Sequence, residues 1–147
     1  MKRLFPEKVA CELFTLIVLM GVSFADSRTY DSRPSSNYIT SLSEDRDGYM
    51  WMASMHGLNR YDGTSYLTFF ASSKEGTLNN DYVYDVCPDA EGDIWVGTKS
   101  GINCYRNGSF IVGGNGSPFF DPVIRILDLD ENHIVATGRT GILKVDK

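Results

Sequence analysis

The chain has 147 residues, 42% of them hydrophobic, and a formal net charge of −5. An acidic chain without a cluster of Lys and Arg repels phosphate backbones, so we expect no nucleic-acid partner. Its two histidines, His56 and His133, have no cysteine or second histidine at metal-ligand spacing, so the sequence predicts no metal site, and nothing in it predicts a cofactor.

The first 25 residues have the pattern of a signal peptide. Met1-Lys2-Arg3 is a short basic region, and residues 13–24 are almost wholly apolar. Ser23-Phe24-Ala25 has small residues at the spacing that signal peptidase recognises, which predicts an exported chain cut after Ala25. The apolar run is shorter than the roughly 20 residues of a lasting membrane anchor, so we expect no membrane span. Residues 26–36 form an N-terminal extension with no predicted element.

A stretch of sequence that begins at Glu44 is repeated from Pro88. Each repeated residue has a counterpart 44 positions later: the first copy has Asp45, Gly48, Trp51, Gly57 and Tyr61, and the second has Asp89, Gly92, Trp95, Gly101 and Tyr105. A period of this size, with turn glycines and one tryptophan per unit, is typical of the blades of a β-propeller. We interpret these ten residues as the structural repeat.

The strands are predicted where apolar and polar residues mix between turn signals such as Asp62-Gly63 and Asn107-Gly108. Blade 1 is predicted over residues 37–80, with strands at 37–43, 49–54, 58–61 and 66–70. Blade 2 is predicted over residues 81–122, with strands at 82–86, 93–98, 102–105 and 110–112. A partial, degenerate blade 3 covers residues 123–147, with strands at 123–129, 134–137 and 141–145 and Val135 in place of the tryptophan. The fold class is therefore all-β, an incomplete propeller of two full blades and one partial blade built from antiparallel sheets.

Gly57-Leu58-Asn59-Arg60-Tyr61-Asp62-Gly63 and the second copy at 93–103 resemble the two-component regulator propeller repeat. Residues 77–86 also resemble the start of a blade in that family. The resemblance covers residues 35–112 well and 123–145 weakly. It implies the periplasmic sensor region of a hybrid two-component protein of the Bacteroidetes type, which detects carbohydrate fragments. The kinase and receiver modules of that family are not in this sequence.

Candidate binding residues come from the loops that differ between blades. The repeated tryptophans occupy the same position in each unit, which favours packing between blades over stacking on a sugar. The variable turns before the repeated glycine instead suggest His56, Lys99 and Arg139 as ligand-binding residues. No catalytic residue is predicted.

The mature chain has two cysteines, Cys87 and Cys104, on the first and third predicted strands of blade 2. Strand spacing separates them by about 9 to 10 Å across the intervening strand. A disulfide needs Cα atoms within about 7 Å, so we expect two free, buried thiols.

The leading functional hypothesis is a non-catalytic sensor or scaffold that recognises an oligosaccharide. The alternatives are a secreted carbohydrate-active propeller enzyme, a glycosidase or lyase, and a truncated reading frame without a function of its own. Fewer than three blades cannot close a propeller, which takes about 4 to 8. We therefore expect the remaining blades, another protein or self-association to complete the ring.

Overall fold

The computed structural model describes residues 28–113 and 122–147. The predicted signal peptide with its cleavage site, and most of the loop between blades 2 and 3, lie outside the described residues. The described part is all-β, and its twelve strands are β1 Arg28–Asp31, β2 Ile39–Glu44, β3 Met50–Ser54, β4 Gly57–Tyr61, β5 Tyr66–Phe69, β6 Val83–Pro88, β7 Ile94–Thr98, β8 Gly101–Arg106, β9 Ser109–Val112, β10 Val123–Asp130, β11 His133–Gly138 and β12 Ile142–Asp146.

These strands form three antiparallel sheets whose internal strand order is that of propeller blades. The first blade has the order β1-β5-β4-β3-β2, the second β6-β7-β8-β9 and the third β10-β11-β12. The first strand of each repeat unit is irregular at the same place, with a register shift after Ile39, Val83 and Val123. The fold class predicted from the sequence is confirmed, because stacked hairpin sheets occur in two complete units and one three-stranded unit.

The N-terminal extension departs from the sequence analysis. The sequence assigns no strand to residues 26–36, but β1 lies within them and pairs antiparallel with β5, from Arg28 opposite Phe69 to Asp31 opposite Tyr66. The first blade therefore has five strands. All four residues of β1 are exposed, so the segment carries no burial pattern from which a strand could be recognised.

Two apolar clusters hold the three sheets together. The cluster between the first and second blades contains Trp51, Ala53, Leu58, Leu67, Phe69, Leu78, Val83, Val86, Ile94, Val96 and Phe110. The cluster between the second and third blades contains Trp95, Ile102, Cys104, Val123, Ile126, Ile134, Ala136 and Val145. The core thus lies between sheets, as it must when each sheet is a single layer whose faces are covered by its neighbours.

A repeated aspartate organises one end of each of the first two blades. Asp45 Oδ1 accepts the backbone N–H of Tyr49 at 3.0 Å, and Asp45 Oδ2 accepts Nε1–H of Trp51 at 2.6 Å. In the second blade Asp89 Oδ1 accepts the N–H of Gly92 at 3.0 Å, and Asp89 Oδ2 accepts Nε1–H of Trp95 at 2.9 Å. One carboxylate therefore closes the hairpin and fixes the indole that enters the interface with the next blade.

The two cysteines are free, as the strand spacing predicts. Cys87 pairs in register with Trp95, which in turn pairs with Cys104, so a whole strand separates the two thiols. Cys104 is buried, as expected, whereas Cys87 is only partly buried. Burial raises the pKa of both thiols, that of Cys104 to about 12.

Candidate functional site

The three predicted binding residues occupy equivalent turns. His56 lies between β3 and β4, Lys99 between β7 and β8, and Arg139 between β11 and β12, and all three are exposed. We call the end of the sheets that carries these turns the loop end. It lies opposite the hairpins of Asp45 and Asp89, because antiparallel strands place successive turns at alternate ends of a sheet.

The first two turns of the loop end meet at one connection. The N–H of Gly57 donates to the carbonyl of Asp81 at 2.7 Å, and the N–H of Lys99 donates to the carbonyl of Tyr82 at 2.9 Å. The turns of His56 and Lys99 are thus tied to two adjacent residues, Asp81 and Tyr82, just before β6. Within residues 28–113 and 122–147, no hydrogen bond, ion pair or ring contact joins Arg139 to either of them.

A hydroxyl closes each of these two turns. Ser54 Oγ donates to the carbonyl of Gly57 at 2.8 Å and accepts the N–H of His56 at 3.1 Å. Thr98 Oγ1 makes the same pair of bonds to Gly101 and Ser100, both at 3.1 Å. These two turns are therefore rigid, since the hydroxyl binds backbone groups that the tight turn leaves unpaired.

Two buried asparagines fasten the segments that lead into the blades. Asn59 Oδ1 accepts the N–H of Ser35 at 2.9 Å, and Asn103 Oδ1 accepts the N–H of Asn79 at 3.1 Å. Both asparagines are fully buried. The two asparagines recur 44 positions apart, like the tryptophans, but this recurrence alone does not mark them as site residues.

Aromatic and thioether groups surround the first two turns. The hydroxyl of Tyr82 donates to Sδ of Met55 at 3.2 Å, and the ring of His56 lies 5.3 Å from that of Phe70. Tyr38, which accepts the N–H of Met55 on its carbonyl, leaves 72% of its surface exposed. Met55 lies in the same variable turn as His56, but the sequence indicated neither Tyr38 nor Tyr82. The contact of Tyr82 with Met55 depends on the first blade's turn meeting the segment that precedes β6.

The loop end therefore offers ring surface, a hydroxyl, an imidazole and an ammonium group within one region. Ring faces pack on apolar faces of a ligand, while hydroxyl and cationic groups bind its oxygens. We call the set Tyr38, Met55, His56, Tyr82 and Lys99 the aromatic platform. Within the described part of the chain, no group of three or more His, Cys, Asp or Glu side chains could hold a metal ion.

The repeated tryptophans lie elsewhere. Trp51 is 1% exposed and Trp95 is 2% exposed, and each sits between two sheets with its N–H bound to an aspartate. Of the two repeated tyrosines, Tyr105 packs 5.5 Å from Trp51, whereas Tyr61 pairs with Tyr66 on the side of the first blade that faces away from the second. The indoles present no surface on which a ligand could stack.

Comparison with protein families identifies the repeat. The family model for the two component regulator propeller matches residues 34–56 and 77–100. The matched segments include Ser54 and Thr98 and both aspartate–tryptophan pairs, Asp45–Trp51 and Asp89–Trp95. A search of curated protein sequences finds no match to this chain.

Solved structures share the fold. The extracellular domain of a putative hybrid two-component system from B. thetaiotaomicron matches 80% of this chain with a TM-score of 0.68 and 24% identity. The extracellular domain of a second such system from the same organism matches 76% of the chain with a TM-score of 0.60 and 23% identity. PorZ, a surface component of the type-IX secretion system of Porphyromonas gingivalis, matches 74% with a TM-score of 0.57 and 17% identity.

The matches cover only a small part of each solved structure. The chain spans 19%, 16% and 17% of their respective lengths. At these sequence identities, the structural similarity shows that the chain shares the blade architecture. Among the described residues, none forms a helix of the length and apolarity that crossing a membrane requires.

Proposed function

We propose that this chain, which carries repeats of the two-component regulator propeller family, is part of the propeller of an exported sensor and recognises an oligosaccharide at its loop end. Solved proteins with the same fold include extracellular domains of putative hybrid two-component systems, which supports export and a sensory role. The role is binding without catalysis.

The observation that carries the binding proposal is the aromatic platform. Tyr38 and Met55 are exposed, and Tyr82 spans the junction between the first two blades. A ligand on this surface would touch both blades at once, which suits a molecule longer than one sugar ring. Lys99 at the edge of the platform favours a ligand with acidic groups, because an exposed ammonium attracts carboxylate or sulfate oxygens.

The site is also preorganised. Ser54, Thr98 and the buried Asn59 and Asn103 bind the backbone of the turns and of the segments that enter the blades. A rigid platform loses little conformational entropy when a ligand binds, and this favours affinity.

The test is calorimetric titration of the full chain with neutral and uronic-acid-containing oligosaccharides. We expect at least one to bind, and Tyr38→Ala to weaken that binding about 2- to 12-fold, because stacking on one ring contributes about 0.5 to 1.5 kcal/mol. Lys99→Ala should selectively weaken the binding of acidic ligands. Tyr30→Ala is the matched control, since Tyr30 is equally exposed but lies on β1.

Two results would contradict the proposal. Equal loss of binding in Tyr30→Ala and Tyr38→Ala would move the site away from the loop end. Release of shortened sugars during the titration would replace binding with the hydrolase or lyase alternative.

A further inference from the structure

Asp81 lies where the turn of His56 meets the segment that leads into the second blade. It immediately precedes Tyr82 and is partly buried. Its carboxylate oxygen Oδ1 accepts the backbone N–H of Ala71 at 2.6 Å, and its carbonyl accepts the N–H of Gly57 at 2.7 Å. This one residue therefore binds both the turn and the backbone that follows β5.

These two contacts fix the surroundings of the His56 ring. Gly57 follows His56 in the turn, and Phe70, whose ring lies 5.3 Å from that of His56, precedes Ala71. A Cβ at Gly57 would lie 3.1 Å from Cε1 of Phe70, so the turn and this ring already approach closely. Asp81 thus binds the backbone next to each of the two rings.

The position of Tyr82 depends on the same connection. Its N–H donates to Oδ1 of Asn80 at 2.9 Å, and its hydroxyl donates to Sδ of Met55 at 3.2 Å. Asn80 is in turn bound to the second blade, because its Nδ2 donates to Oγ of Ser100 at 2.9 Å. The connection is therefore held to the second blade through Asn80 and to the first blade through Asp81.

We propose that Asp81 is the positioning residue of the aromatic platform: it holds Met55, His56 and Tyr82 in one arrangement, and affinity for a ligand depends on that arrangement. A protein whose binding-competent arrangement is populated only in part binds more weakly by that fraction. The effect on affinity rests on the proposed function, whereas the effect on the arrangement rests on the contacts of Asp81 alone.

The test uses the full chain with isotope-labelled methionine methyl groups. Asp81→Ala removes the acceptor of the Ala71 N–H. Asp81→Asn removes the same charge but keeps an oxygen at that place, so the difference between the two variants isolates the hydrogen bond. Asp62→Ala is the matched control, because Asp62 also accepts backbone N–H groups, those of Thr64 and Ser65 at 2.8 Å, at the opposite end of the first blade.

We expect the Met55 methyl resonance to move in Asp81→Ala toward its position in Tyr82→Leu, because Met55 then loses its contact with Tyr82. It should stay near its wild-type position in Asp81→Asn and in the control. The methyl resonances of Met50 and Met52 on β3 should not move in these variants, which distinguishes a local displacement from loss of the fold.

Calorimetric titration measures the consequence for binding, with whichever of the neutral and uronic-acid-containing oligosaccharides binds the wild type. Asp81→Ala should weaken binding about 2- to 12-fold, the factor that corresponds to one hydrogen bond. Asp81→Asn should restore most of the affinity, and Asp62→Ala should leave it unchanged. If circular dichroism shows that Asp81→Ala does not fold, Asp81→Leu replaces it, since leucine has a similar branched shape but no acceptor.

Three results would overturn the inference. An unchanged Met55 resonance in Asp81→Ala would show that Asp81 does not hold the turn. Equal affinity of the wild type and Asp81→Ala would show that binding does not depend on this arrangement. Asp81→Asn that behaves like Asp81→Ala would assign the effect to the lost charge. If no oligosaccharide binds the wild type, the proposed function fails, and the Met55 resonance alone decides whether Asp81 positions these residues.

Discussion

Trp51 allows the stacking of the first two blades to be tested directly. Its indole is 1% exposed, lies 5.7 Å from the ring of Phe69 and 5.5 Å from that of Tyr105, and has the guanidinium of Arg60 5.7 Å from its centre. We predict that Trp51→Ala lowers the free energy of unfolding by about 3 to 5 kcal/mol, because truncation removes buried apolar surface and leaves a cavity. The free energy of unfolding of a small domain is only about 5 to 15 kcal/mol, so little stability would remain.

A matched variant separates packing from the hydrogen bond. Trp51→Phe keeps an aromatic ring in the interface but removes the donor that binds Asp45 at 2.6 Å. Asp45 is only partly buried and retains its bonds to backbone N–H groups, so loss of this bond should cost about 0.5 to 1.5 kcal/mol. Tyr38→Ala, at an exposed residue, should change stability by less than about 0.5 kcal/mol.

The assay is urea unfolding followed by far-ultraviolet circular dichroism, which does not depend on tryptophan fluorescence. We expect the order of stability to be wild type, then Trp51→Phe, then Trp51→Ala. In thermal unfolding followed by the same signal, the alanine variant should melt about 10 to 20 °C below the wild type. If Trp51→Ala loses less than about 1 kcal/mol, Trp51 does not hold the blades together and the core argument is wrong.

Two further predictions follow from single residues. Gly57→Ala should destabilise the chain more than Gly48→Ala, because both glycines have positive φ but a Cβ at Gly57 would lie 2.8 Å from the backbone carbonyl oxygen of Phe69, whereas a Cβ at Gly48 meets nothing within 4 Å. Thermal melting compares the two variants, and equal losses would exclude a clash with Phe69. The raised pKa of Cys104 predicts that the free energy of unfolding falls as pH rises from about 9 to about 12, because the thiol ionises first in the unfolded chain. Cys104→Ala should flatten that part of the pH profile. An unchanged slope would exclude this thiol as its cause.

The strands were predictable because hairpins are local. The turn at Asp45 to Gly48 bonds its own backbone, and the N–H of Gly48 donates to the carbonyl of Asp45 at 3.0 Å. Every predicted strand agrees with an observed one to within two residues at each end. Only β1 was absent from the prediction, since its partner β5 lies far along the chain and no residue of β1 is buried.

The candidate site was predictable only in part. His56, Lys99 and Arg139 were chosen as variable residues in equivalent turns, and the structure places all three in those turns. The aromatic side chains beside them could not be chosen, because Tyr82 reaches Met55 through the meeting of two blades. Contacts of this kind depend on how sheets stack, and neither periodicity nor turn chemistry within one blade determines that stacking.

The sequence by itself determined the repeat unit: the strand-turn-strand pattern, the aspartate that closes the hairpin and the tryptophan it binds. These features need only neighbours within a few residues. The tertiary structure alone decided which copies of one position are buried. Leu58, Ile102 and Ile142 have similar side chains at the same repeat position, yet the first two are sealed between sheets and the third is 78% exposed. Burial requires a second sheet against the face, and the residues of a strand cannot specify whether that sheet is there.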